Sequence, residues 1–93
     1  MPIQSYGCKH TASILKGGSP LRFNSILLAA ERKLVILDAA SCLDDLRVPP
    51  GNRLEKLHGD REGQYSIRIN DQWRICFRWN DSGPENVEIV DYH

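Results

Sequence analysis

Apolar and polar residues alternate with a period of two along 64–70 and again along 73–79. In the first run Tyr65, Ile67 and Ile69 share one face, and Ser66 and Arg68 the other. In the second, Trp73, Ile75, Phe77 and Trp79 point one way, and Arg74, Cys76 and Arg78 the other. This alternation predicts two half-buried antiparallel strands. The segment Asn70-Asp71-Gln72 between them is short enough for a hairpin. A polar loop over 80–86 then leads to a last predicted strand over 87–91.

The N-terminal half carries the helical signal. Leu27, Ala30, Leu34 and Leu37 recur at spacings of three and four, which predicts a helix from Asn24 or Ser25 to about Ala40. Asn24 and Ser25 are both good N-caps. The segment is rich in apolar residues beyond that stripe, so packing on two sides is expected. A shorter helix is predicted over 8–16, with Ile14 and Leu15 inward, ended by Gly17-Gly18-Ser19-Pro20. Ile3, Gln4 and Tyr6 suggest a short first strand. Residues 41–53 read as a connector that Pro49-Pro50-Gly51-Asn52 keeps from being helical. Leu43, Leu46 and Val48 are candidates to tack it to the core. Leu54 and Leu57 anchor a short extended piece, and residues 58–63 form a polar turn.

Two N-terminal helices followed by consecutive strands predict an α+β domain spanning residues 1–93. The helices pack on the aromatic face of a small, mainly antiparallel four-stranded sheet. The opposite face then carries Arg68, Arg74 and Arg78. Three guanidinium groups on one face repel unless an anion or internal carboxylates neutralise them, and both readings stand.

The chain has 93 residues, of which 41% are hydrophobic and 26% charged, as in ordinary globular proteins. No run approaches the length of a membrane span, and the first residues lack the basic start and apolar stretch of a signal peptide. Cys8, Cys42 and Cys76 are odd in number and widely spaced. They argue against a disulfide framework or a structural zinc site and fit a reducing cytoplasm.

Net charge is zero but unevenly spread. Residues 47–78 hold seven bases, six of them arginine, against four acids, whereas 79–93 hold four acids and no base. Arginine suits forked contacts to phosphate. A mixed solvated surface is the plain alternative.

Asp91-Tyr92-His93 place an acid, a phenol and an imidazole directly after the apolar run 87–90. A frayed terminus is one reading. Chemistry is the other, because imidazole titrates nearest neutral pH. Cleaving RNA without a metal needs a base for the ribose 2′-OH, cations on the phosphate, and a donor for the leaving 5′-oxygen. His93 and His58 are candidate proton-transfer groups. Arg74, with Arg68 or Arg78, is the candidate phosphate clamp, and Lys56 a further cation. Tyr92 can stack on a base or donate a hydrogen bond, and Asp91 can orient an imidazole. Nucleophile-elbow, Walker and zinc-protease motifs are absent from the sequence. His10 reads as a surface residue.

Three segments together resemble the HigB toxins of the RelE superfamily. They are Leu57-His58-Gly59-Asp60-Arg61-Glu62-Gly63-Gln64-Tyr65-Ser66-Ile67, then Asn70-Asp71-Gln72-Trp73-Arg74-Ile75, then Asp91-Tyr92-His93. The resemblance runs from about Ile3 to His93. It implies a RelE-like, microbial-ribonuclease-like fold and an endoribonuclease that cuts translated mRNA in the ribosomal A site. The implied attack is by the 2′-OH, without metal or organic cofactor. Implied partners are the ribosome, its mRNA and a HigA-type helix-turn-helix antitoxin, through which alone the pair contacts operator DNA. By position, Asp91, Tyr92 and His93 match the terminal catalytic motif, and Arg74 matches the phosphate-holding arginine. Arg61 matches the arginine of the Gly-Asp-Arg turn. Some relatives carry a histidine four positions before that glycine and a lysine just before it. Here those places hold Glu55 and His58, so His58 or Glu55 is expected to substitute as partner of His93. Arg53, Lys56, Arg61, Arg68 and Arg78 are expected to reach RNA phosphates. Two alternatives keep the arginine face but differ in chemistry: a non-catalytic RNA- or ribosome-binding module, and a nuclease active on naked RNA.

Overall fold

A computed structural model describes residues 1–91 of the chain. Tyr92 and His93 lie outside the described residues. The central element is a four-stranded sheet in the order β1-β2-β3-β4, antiparallel throughout. The strands are β1 (Glu55–Lys56), β2 (Tyr65–Arg68), β3 (Trp73–Asn80) and β4 (Gly83–Asp91). Helices α1 (Lys9–Ile14) and α2 (Leu27–Ala39) precede them, which makes the class α+β as the sequence implies.

The period-two runs become β2 and β3, but they are not half-buried as expected: the face away from the helices is also covered at its centre, where Ser66 and Cys76 are fully buried and Arg74 nearly so. Ile67, Ile75 and Phe77 are fully buried, with Leu34 and Leu37 of α2 in the same core cluster. The predicted hairpin forms. Asn70 Oδ1 accepts hydrogen bonds from the backbone N–H groups of Gln72 and Trp73, both at 2.8 Å, and so closes the turn.

The long helix starts later than the cap signals suggest. Residues Leu21–Ile26, including Asn24 and Ser25, form a 3₁₀ turn that is non-helical at Phe23. Phe23 is fully buried and meets Trp73 edge to face, with ring centroids 5.5 Å apart. Seating that ring bends the entry, and α2 begins without a side-chain cap. Its core stripe is Ala30, Leu34 and Leu37. Among the described residues nothing packs on its second side, where Leu28 is 73% and Val35 52% exposed.

The first segment, read as a strand, makes a single parallel bridge from Tyr6 to Val87. Its backbone still follows the edge of β4: Gln4 N–H donates to the Pro84 carbonyl and Gly7 N–H to that of Val87. The β3–β4 register slips between Cys76 and Arg78, and Asn86 sits at φ 53°. A strand edge bent in this way accepts a straight neighbour over a short stretch only. The fourth strand is instead β1, the leucine-flanked piece.

The expected loop over 80–86 is mostly strand. Asn80 pairs with Gly83 and Trp79 with Pro84, leaving a two-residue turn. Pro84 lacks an N–H but its carbonyl serves Gln4, so it is tolerated at this edge.

In the connector, Leu46 is buried, Leu43 partly so, and Val48 is 70% exposed. Buried Asn52 holds the proline turn, donating from Nδ2 to the Leu46 and Val48 carbonyls and accepting from Lys33 Nζ at Oδ1. Helix α1 docks through buried Thr11, whose Oγ1 accepts from the Ile89 N–H at 3.1 Å. No helix among the described residues is long and apolar enough to cross a membrane.

Candidate active site

The register assembles a polar row on the face away from the helices. Glu55 pairs with Ser66, Ser66 with Cys76, and Cys76 with Glu88, so these four side chains share that face across all four strands. The neighbouring row is Arg68, Arg74 and Val90.

Arg74 is the centre of this face and is only 7% exposed. A guanidinium so placed needs oxygen partners, because desolvating it unpaired is costly. Its Nε donates to Ser66 Oγ at 2.8 Å, and its Nη2 donates to the Arg53 carbonyl at 2.6 Å. Arg53 adopts a left-handed conformation, φ 45°, immediately after the turn held by Asn52. The fold thus shapes a backbone acceptor for Arg74. On the other side of the guanidinium, Nη1 lies 3.9 Å from Glu55 Oε1.

Arg61 reaches over the row from the turn Gly59–Arg61. Its Nη1 donates to Glu88 Oε1 at 2.8 Å and to Gln64 Oε1 at 3.1 Å. Below them Cys76 is fully buried. Burial pushes its thiol above the ordinary range; the Arg61 and Arg74 charges oppose that shift, while Glu88 reinforces it.

The arginine face is therefore real, but its members are held apart. Arg68 is paired with Asp71 at the hairpin end. Arg78 lies at the other end, over Gly63, with Nη2 directed at the Glu62 carbonyl at 3.4 Å. Internal oxygens stand beside each of the like charges.

The remaining expected site residues are distributed by register. Leu57 N–H bonds to the Gln64 carbonyl, which puts adjacent His58 at the Arg78 end of the sheet. Asp91 pairs with Trp73, at the opposite end. Five residue steps of strand lead from Trp73 to Arg78, or roughly 16 Å at the usual rise. His58 is exposed and contacts Glu62 Oε2 at 3.4 Å. Lys56 pairs with Tyr65, so it leaves the sheet on the face opposite Arg74. Arg53 is exposed beyond its carbonyl contact. Asp91 shares its register position with Trp73, and its Oδ2 accepts from Gln72 Nε2 at 3.1 Å. Tyr92 and His93, which follow it, lie outside the described residues.

Ser66, Asn52 and Glu88 escaped the sequence reading as site residues. Ser66 alone left a trace, a small hydroxyl on the arginine face of an otherwise bulky strand. Among the described residues no group of His, Cys, Asp or Glu is arranged to hold a metal ion.

Comparison with known proteins agrees with this architecture. Over its full length the chain resembles a chain of the YoeB–YefM complex from Staphylococcus aureus, with a TM-score of 0.61 at 17% identity and 97% of that chain covered. That likeness concerns the fold. In sequence, 66 residues are 55% identical to Toxin HigB-1 of Vibrio cholerae serotype O1, covering 71% of this chain and 70% of that toxin. A further 33% identity over 64 residues relates it to Endoribonuclease HigB of Proteus vulgaris, covering 66% of this chain and 65% of that enzyme. The family model of the RelE-like toxin HigB matches residues 22–93. With most of its length inside that match, the chain belongs to the HigB family of RelE-like toxins from type II toxin–antitoxin systems.

Proposed function

We propose that the chain is a ribosome-dependent endoribonuclease that cuts mRNA in the A site and thereby halts translation. The observation that carries this reading is Arg74, a nearly buried guanidinium fixed by Ser66 with the half-exposed Glu55 carboxylate beside it. A cation held in place stabilises charge as it grows on phosphate oxygens. The ribonuclease name of the Proteus vulgaris relative supports the same activity.

In this reading a 2′-oxygen attacks the adjacent phosphorus while its proton passes to a base. The bond to the 5′-oxygen breaks, and that oxygen takes a proton from an acid. The products are a cyclic 2′,3′-phosphate and a 5′-hydroxyl. Arg74 carries the charge on the non-bridging oxygens. His93 supplies the proton to the leaving oxygen, with Asp91 and Tyr92 ordering the imidazole and the base. Between the two candidates for the base, contact with Arg74 favours Glu55 over His58. All of this proceeds with protein side chains and no cofactor.

Both Glu55 and His58 are widely exposed, so the protein alone offers little to order a flexible strand. The ribosome supplies that order by holding mRNA in register. Arg53, Lys56, Arg61, Arg68 and Arg78 are the cations for ribosomal RNA. A HigA-type helix-turn-helix antitoxin neutralises the toxin and links it to operator DNA; membership of a type II toxin–antitoxin family supports such a partner. The site of action is the cytoplasm, where ribosomes and mRNA meet.

The test is purified protein on ribosomes programmed with a defined mRNA, with the cut ends mapped. Cleavage in the A site, and little on the same RNA without ribosomes, is expected. Ribosome binding without new ends would instead establish a non-catalytic binding module. Efficient cutting of free RNA would overturn ribosome dependence.

A further inference from the structure

One member of the motif Gly-Gln-Tyr-Ser-Ile has no part in the chemistry above. Ser66 is fully buried in the middle of the polar row. Its Oγ accepts from Arg74 Nε at 2.8 Å, and its carbonyl lies 3.4 Å from Arg74 Nη2. The Arg53 carbonyl takes Nη2 from another direction.

We propose that Ser66 is the positioning residue of the phosphate clamp, fixing the plane in which Arg74 meets the scissile phosphate. This rests on the nuclease reading. An arginine side chain has several free torsions, and one contact leaves its plane free to turn. Contacts at Nε and Nη2 define that plane and direct Nη1 towards Glu55. Nε and Nη2 form the edge that usually grips a carboxylate. Here it is given to a neutral hydroxyl and to backbone oxygens. A carboxylate in place of Ser66 would hold the guanidinium as firmly but cancel its charge. The hydroxyl orients the cation without adding a second negative charge to that of Glu55. The backbone half of the device is set by Asn52, which holds the turn before Arg53.

The experiment compares Ser66→Ala, Ser66→Thr and the unaltered protein in single-turnover cleavage on programmed ribosomes, with ribosome affinity measured separately. Exchange of the Arg74 Nε proton, read by NMR, reports on the contact itself. Ser66→Ala is expected to slow cleavage by about 10-fold to 100-fold, the loss typical of a misplaced catalytic group. Affinity should stay within about twofold, because the charge remains, and the Nε proton should exchange faster. Ser66→Thr, which keeps the hydroxyl, should recover most of the rate. A Ser66→Ala protein that cleaves at full rate, or loses rate only in proportion to its unfolded fraction, overturns the proposal. If the unaltered protein makes no cuts, the nuclease reading fails and the positioning role falls with it. Cuts by the unaltered protein with an indifferent Ser66→Ala sink the positioning role alone.

Discussion

Glu55 and Arg74 face each other across β2, with Oε1 of the first 3.9 Å from Nη1 of the second. The two residues are remote in sequence and meet because β1 pairs Glu55 with Ser66, the serine on which Arg74 rests. Proton transfer by a placed side chain contributes about 10²–10⁴-fold to a rate. Glu55→Gln should therefore lower ribosome-dependent cleavage by at least about 100-fold. His58→Ala, altering an exposed residue at the far end of the sheet, should cleave within about threefold of the unaltered protein. The measurement is single-turnover cleavage, and the reverse ranking would assign the base to His58.

Arg74 serves both stability and chemistry. Arg74→Ala leaves the Ser66 hydroxyl and the Arg53 carbonyl without their donor, which costs about 1–3 kcal/mol. Urea unfolding should show that loss, and expression of the variant should no longer arrest growth. Arg74→Lys keeps the charge but not the fork, so it should remain folded and cleave poorly. Full toxicity of the lysine variant would show that charge suffices.

Cys76 makes stability fall in alkali. Its thiol is raised above the ordinary value of 9.0 by burial, so the folded protein keeps a proton that the unfolded chain releases. The contribution is whole below about pH 9 and is lost as pH rises towards the folded value, by at most about 1.4 kcal/mol per pH unit. Urea midpoints from pH 8 to 10 should fall less steeply for Cys76→Ala. Thiol labelling at neutral pH should reach exposed Cys42 readily and Cys76 only after unfolding.

One-sided packing of α2 has a simple signature. Leu34→Ala removes a fully buried side chain and should cost about 2–5 kcal/mol. Leu28→Gln on the exposed side should change stability by no more than about 0.5 kcal/mol. Denaturant midpoints of the two variants check this, and similar losses would mean the outer side of the helix is covered.

Strands β2 and β3 were legible because a residue's side of the sheet follows from parity, and every second position is apolar. The stripe Ala30, Leu34 and Leu37 was legible for the equivalent helical reason. Errors arose where a local signal met a remote constraint. Asn24 and Ser25 look like caps, but burial of Phe23 against Trp73 decided how the chain enters α2. Gly83 and Pro84 look like breakers, yet the sheet edge uses them as strand residues. The first residues have the composition of a strand, and the bend at Asn86 reduced them to one bridge.

By itself the sequence determined which residues alternate, which stripe is apolar and which arginines share a face, since each follows from spacing along one backbone. Its motifs also pointed to the family. Tertiary structure alone decided that Ser66 and the Arg53 carbonyl cradle Arg74, that Glu55 stands beside it, and that His58 and Asp91 lie at opposite ends. Those relations depend on strand register and on the conformation of a distant turn. Spacing along the chain carries no information about either until the strands have paired.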